Sequence, residues 1–480
     1  MRKNVPFQMM KVCSVWPGLE RTVRVSALCV IMSFFATAAL SQELLLDINP
    51  IEDLTYNEYS HLTDADGTLY FVVRGRELWR SNMTSQGIEP VKEFKTISEL
   101  RYSGSTLYVS ADDGTSGMEL WKVTGSSCVR VKDIYPGIGN GYPDNMTDVN
   151  GVLYFSASLS ASGIELWKSD GTPEGTSLVK DILPKHGSSR PSYLTNVNGI
   201  LYFAANNSNQ GIELWKSDGT AAGTLMVKDI RTGAKLSSAP TLITNINGIV
   251  YFVATDGVSG RELWRSDGTA EGTVMVKEIR AGSGSPGIRN MIAVNSTLFF
   301  SANDGVFGHE LWKSDGTAEG TVIVKDMTPG GAGSDDESGW GTDMGNFTNI
   351  NGTLFYSANL YADHYICKSD GTAAGTIPLQ PADGPGIGQL TTPFIFMNGY
   401  VYYFTEAYVG DEQSYSLFRM NEDGSNPQRL QSFAMIDAYE YYWPHMVNAG
   451  NSIYYYGRNS SFKGFKLFKT ADGQRLRGES

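Results

Sequence analysis

The sequence is poor in cysteine, histidine, positive charge and long apolar runs, and each shortage argues against a class of protein. There are 4 cysteines in 480 residues. Two lie within the first 41 residues, and the others, Cys128 and Cys367, stand 239 residues apart. A disulfide scaffold needs more and closer cysteines than that. The 5 histidines, His61, His186, His309, His364 and His445, never fall in a His-x-x-x-His spacing, so no local zinc motif is present. Lys and Arg total 38 against 51 Asp and Glu, a net charge of −13. The first 41 residues hold five bases and one acid, which leaves the remainder at −17. Nucleic acid requires a basic face, so it is not an expected partner. The apolar run "SALCVIMSFFATAAL" at 26–40 is too short for a comfortable membrane span. No nucleophile elbow or phosphate loop occurs.

That apolar run follows a basic stretch and precedes small residues, with Ala39-Leu40-Ser41 before Gln42 as a cleavage site. Residues 1–41 therefore read as a signal peptide, with an uncleaved anchor as the alternative. The mature chain is expected outside the cytoplasm, secreted or at the cell surface, as a monomer with no membrane span. It divides into a repetitive region, 42–473, and a polar C-terminal tail, 474–480.

Glycine (53 residues) and aromatics (25 Tyr, 21 Phe, 9 Trp) are what the chain has in quantity. They favour strands and tight turns over helices. One clean unit, "SYLTNVNGILYFAANNSNQGIELWKSDGTAAGTLMVKDI" (192–230), parses into four extended runs separated by Asn-Gly, a polar turn and Asp-Gly-Thr. Aligned on one residue, the units have anchors at Trp79, Trp121, Trp167, Trp215, Trp264, Trp312, Cys367, Phe418 and Phe468, spaced 42 to 55 residues apart. Cys367 thus takes a tryptophan's place, which suggests a buried apolar role.

Four strands with a period near 48 residues mark a β-propeller blade. The fold expected is all-β: a single propeller of about nine four-stranded blades, with eight blades plus a divergent hairpin as the alternative. The last unit lacks a fourth strand, and "ELLLDI" at 43–48 resembles the fourth strand of other units, so the N-terminal segment is expected to close the ring.

The full motif Glu-Leu-Trp-x-x-Asp-Gly-Thr stands at Glu165–Thr172, Glu213–Thr220, Glu262–Thr269 and Glu310–Thr317. On these residues the chain resembles the ELWxxDGT repeat proteins. The resemblance spans nearly all of the mature chain. It implies a secreted or surface-associated bacterial protein and supplies no activity. The spacing Ala254-x-Asp256-x-x-x-Gly260-x-x-x-Trp264 resembles the tryptophan-docking motif of quinoprotein dehydrogenase propellers, as do Ala302–Trp312 and Ala111–Trp121. That resemblance implies inter-blade packing by the tryptophan; it carries no cofactor with it.

Repetition argues against chemistry, because a catalytic centre is an exception in one place. Asp170, Asp218, Asp267, Asp315 and Asp370 each precede Gly-Thr and read as turn residues. Their alternative is a calcium ligand or a sugar contact in each blade, although calcium prefers a denser oxygen cluster. Glu165, Glu213, Glu262 and Glu310 recur too often to be a glycosidase pair. The Lys-Asp repeats (Lys132-Asp133, Lys180-Asp181, Lys228-Asp229, Lys325-Asp326) are expected to pair across strands. Two exceptions remain as ligand-binding candidates. One is the acidic loop with Asp335, Asp336, Glu337, Trp340 and Asp343. The other is the aromatic stretch with Tyr441, Tyr442 and Trp443. The functional expectation is a non-catalytic binding or scaffold module for a protein or a glycan, with no cofactor. The alternatives are a carbohydrate-cleaving propeller enzyme and a calcium-stabilised structural repeat.

Overall fold

The structure is a computed structural model. It describes residues 42–46, 59–81, 88–329, 344–360, 363–379, 390, 392–409, 412–434, 446–449, 452–457 and 466–471. Leu40–Ser480 forms one compact unit. All the assigned elements in it are strands, and they make nine four-stranded antiparallel sheets. Eight are meanders that follow one another along the chain: blades 1 (59–93), 2 (96–132), 3 (144–180), 4 (192–228), 5 (241–277), 6 (289–325), 7 (345–379) and 8 (395–434). The ninth joins both chain ends: Met446–Ala449, Ser452–Gly457 and Lys466–Ala471 pair in turn, and Gln42–Leu46 adds the outer strand.

Blade 4 shows why the sequence folds this way. Ser192–Val197 turns into Ile200–Asn206 through Asn198 and Gly199, both at positive φ (52° and 88°), as a two-residue hairpin requires. Five consecutive residues of Ile200–Asn206 are buried, so both faces of the strand are covered. That is why its sequence is apolar without alternation. The third strand, Ile212–Ser217, carries the motif, and Leu225–Lys228 finishes the blade.

Each blade meets the next through its own apolar cluster, and there is one such cluster for every neighbouring pair around the ring. The last of them packs Leu69 and Phe71 of blade 1 against Ala449 and Tyr454 of blade 9, which closes the circle. Closure gives every blade a neighbour on each side. The N-terminal strand is found one residue earlier than its sequence pattern suggests, with Gln42 opposite Thr470 and Leu44 opposite Phe468.

The ring has two unlike faces. One carries the Asn-Gly hairpins and the Asp-Gly-Thr turns and is called here the hairpin face. The other carries the loops between second and third strands and the crossovers between blades, and is called the crossover face.

Candidate functional site

The repeated motif works as a joint. The tryptophans at 121, 167, 215, 264 and 312 are 5–7 % exposed, and each sits in the cluster it shares with the preceding blade. Trp264, for example, packs with Tyr202, Leu214 and Val227 of blade 4 and with Phe252 of its own blade. Trp79 is half-buried against blade 9, and Cys367 fills the equivalent place between blades 6 and 7. The indole N–H of Trp121 donates to the Ala111 carbonyl at 3.0 Å and that of Trp312 to Ala302 at 3.1 Å. Those of Trp167, Trp215 and Trp264 are buried without a partner, so packing and not hydrogen bonding is their shared contribution.

The Asp-Gly-Thr turn is built from within. Asp218 Oδ1 accepts the Thr220 amide at 2.8 Å and the Thr220 hydroxyl at 2.7 Å. Those bonds hold its carboxyl below the usual range. Gly219 lies at φ +88°, and a Cβ on Gly223 would overlap the Asp218 carboxylate. Asp170, Asp267, Asp315 and Asp370 repeat the two bonds at 2.7–2.9 Å. Among the described residues no group of three or more His, Cys, Asp or Glu side chains is arranged to hold a metal ion.

The lysines depart from the expected ion pairs. Lys132, Lys180, Lys228 and Lys325 donate to the carbonyls of Thr176, Thr224, Thr273 and Thr376, each in the next blade, at 2.6–2.8 Å. Where a lysine follows the motif tryptophan it does likewise: Lys168 reaches the Gly219 carbonyl at 2.9 Å and Lys216 that of Gly268 at 2.8 Å. A carbonyl left over at a tight turn is a fixed acceptor, so the ammonium is held between blades and not across strands of one blade.

The motif glutamates shape the crossover face. Glu119, Glu165, Glu213, Glu262 and Glu310 are fully buried. Glu213 accepts the amides of Ile230 (3.1 Å) and Ser238 (2.8 Å) and the Ser238 hydroxyl (2.5 Å). Those donors lie on the crossover to the next blade, so each glutamate pins one loop. Burial lifts Glu119, Glu213, Glu262 and Glu310 from the ordinary carboxylate value of 4.5 to about 7, and raises Glu165 as well. The folded state therefore holds protons that the unfolded chain releases above pH 4.5, and stability must fall as pH rises from there to about 7. The turn aspartates act the other way: their lowered values make stability fall as pH drops below the ordinary Asp range. The thermal midpoint is expected to peak near pH 5 and to decline by pH 8. A midpoint that is flat or rising over that interval would contradict this account of the glutamates.

One cavity of about 600 Å³ opens on the crossover face. Tyr142, Asp144, Asn145 and Ile164 of blade 3 and its approach line one side, and Arg190 and Ser192 at the start of blade 4 line another. These residues do not repeat. Where blade 3 has Tyr142 and Asp144, blade 4 has Arg190 and Ser192, and blade 5 has Ala239 and Thr241. Asn145 and Tyr193 hold positive φ at a bulge that opens each first strand, which turns the strand start outward. Near the rim, Glu99 accepts the Met146 amide at 3.1 Å, and burial raises its carboxyl to about 7. His61 accepts or donates at Ser60 (2.8 Å) and meets the Ser98 carbonyl at 2.9 Å. The carbonyl can only accept, so Nε2 carries the proton and Nδ1 takes the Ser60 hydroxyl. The contact ties blade 1 to blade 2.

Exposed apolar side chains are also unevenly placed. Ile138, Tyr142, Tyr193, Ile212, Leu236, Val258, Val306 and Phe307 lie on the crossover face or at strand starts beside it. Among the described residues the other exposed large apolar side chains are Val129, within an outer strand, and Leu225, Val274 and Ile377, which open the outer strands that leave the hairpin face.

The sequence candidates Asp335, Asp336, Glu337, Trp340, Asp343, Tyr441, Tyr442 and Trp443 lie outside the described residues. The cavity residues interrupt no motif; they lie on the crossovers between intact motifs and on the strand ends beside them. Aligning "YPDN" (142–145), "RPSY" (190–193) and "APTL" (239–242) exposes the variation.

No protein-family model matches the chain, and no curated protein sequence matches it. Solved structures do. One is from work on two prolyl endopeptidases (10% identity, TM-score 0.41), covering 76% of this chain and 54% of that one. The chain thus spans about half the length of that structure. Others are the WD40 domain of SCAP from fission yeast (10% identity, TM-score 0.37, 90% and 98% covered) and the β-propeller domain of the Trilobed protease from Pyrococcus furiosus (8% identity, TM-score 0.37, 78% and 98% covered).

Proposed function

We propose that this is a non-catalytic binding propeller, secreted or held at the cell surface, that takes a protein partner on its crossover face. The observation that carries the reading is the placement of exposed apolar side chains: among the described residues six stand on loops of that face and none on the loops of the hairpin face. Exposed apolar tips such as Val258 (75 % exposed) and Val306 (67 %) lower the solubility of a free surface and contribute when covered. They stand on several loops around a ring, a footprint broader than one sugar residue. The signal-like segment at 1–41 and the resemblance to ELWxxDGT repeat proteins support a place outside the cytoplasm.

Photo-crosslinking amino acids placed singly at Val258 and Val306, and at Asn247 on the hairpin face, test this against intact cells of the producing organism. Discrete adducts from the first two positions and none from the third are expected. Adducts from both faces alike, or from the hairpin face alone, would overturn the reading. Retention on a glycan array that survives Val306→Asp would assign the face to a sugar instead.

A further inference from the structure

The repeat contains an internal comparison for the cavity. In blade 5 the residue before the motif glutamate is Arg261. Its guanidinium donates to the Ala239 carbonyl and to the Thr241 hydroxyl, both at 2.9 Å. Those acceptors sit where the first strand of blade 5 begins. In blade 6 the same position is His309, whose ring lies 3.0 Å from where a Cβ on Gly287 would stand. So in two blades a nitrogen-bearing side chain of the protein itself covers this place. In blade 3 the equivalent residue is Ile164, which has no donor, and the strand start carries Tyr142 and Asp144 in place of Ala239 and Thr241. The acceptor that is a hydroxyl in blade 5 is a carboxylate here, and the cation that blade 5 supplies is missing from blade 3's own sequence.

We propose that the cavity is a socket for an arginine side chain of the protein partner. The inference rests on the reading of the crossover face as the binding face. A guanidinium presents paired donors in a fixed fork, which suits a carbonyl and a carboxylate side by side better than an ammonium does. Among the described residues the Asp144 carboxylate accepts one hydrogen bond, from the side-chain Nδ2 of Asn145 at 3.1 Å, and retains capacity to accept more. Arg190, across the cavity, makes no side-chain hydrogen bond or ion pair among the described residues. It offers donors to a carbonyl or carboxylate beside the bound arginine and disfavours a run of consecutive cations. The favoured ligand segment is therefore one arginine flanked by neutral or acidic residues.

The test is a calorimetric titration of the full chain with the tripeptide acetyl-Gly-Arg-Gly-amide, alongside the same peptide with citrulline, which keeps the shape and removes the charge. Binding of the arginine peptide in the millimolar range is expected, with at least a tenfold loss (about 1.4 kcal/mol) for citrulline. The same loss is expected for Asp144→Asn and for Ile164→Arg, which installs the residue blade 5 uses. Asp144→Asn changes no buried packing, so it serves should Ile164→Arg fold poorly. Equal binding of the two peptides, an unaffected Asp144→Asn protein, or no binding by the wild type up to about 10 mM would overturn the socket. Val306→Asp separates the two claims. It should leave the tripeptide's affinity unchanged while weakening capture of the whole partner. If capture is weakened but the tripeptide never binds, the crossover face stands and the socket falls.

Discussion

Glu213→Ala is expected to destabilise the protein by about 3 kcal/mol or more, because the amides of Ile230 and Ser238 and the Ser238 hydroxyl would all lose their acceptor in a buried place. A buried donor left unpaired costs roughly 1–3 kcal/mol. Glu213→Gln keeps a carbonyl acceptor and gives up the buried charge, so its loss is smaller. It should also flatten part of the decline in stability between pH 5 and pH 8, since Glu213 is one of the carboxyls lifted to about 7. Urea midpoints at the two pH values measure both effects. An alanine variant within about 0.5 kcal/mol of wild type would show that the crossover is held by something else.

Trp264→Ala should be at least as damaging, at about 3–5 kcal/mol, the range for emptying a large aromatic from a packed core. The side chain touches two blades, so the cavity would weaken both. Trp264→Phe should cost much less, because Phe418 occupies the same register in blade 8 and packs there at 4 % exposure against blade 7. A ring of blades unfolds in parts more readily than a small domain does, so local probes report this loss better than one global midpoint.

The repeat was plain in the sequence because every copy solves the same physical problem. Each blade must bury two faces, turn twice within a few residues and lock to its neighbour. Asn198-Gly199 and the Asp218–Gly223 turn are therefore spelled alike in blade after blade. The composite ninth sheet was legible for a similar reason, since 43–48 repeats the pattern of a fourth strand without the first three. Lysine partners were not legible. An ammonium beside an aspartate in sequence suggests an ion pair, but Lys228 is aimed by its strand at the Thr273 carbonyl of the next blade, which only the ring brings near. The cavity was hidden for the opposite reason. Tyr142 and Arg190 lie on crossovers whose spacing varies, and Asp144 opens the strand that follows one, so no period marks them. Their meaning emerges only when Arg261 is seen covering the equivalent place two blades on.

The central claim is that the recurring Glu-Leu-Trp-x-x-Asp-Gly-Thr element is a joint between blades. Amide hydrogen exchange on Trp264→Ala tests it most directly. The account predicts faster exchange both in Ile249–Ala254 of blade 5 and in Ile200–Asn206 of blade 4, with blades 1 and 8 unchanged. Exchange at wild-type rates on both sides of that interface would contradict it, and would return the motif to consideration as a surface offered to a ligand.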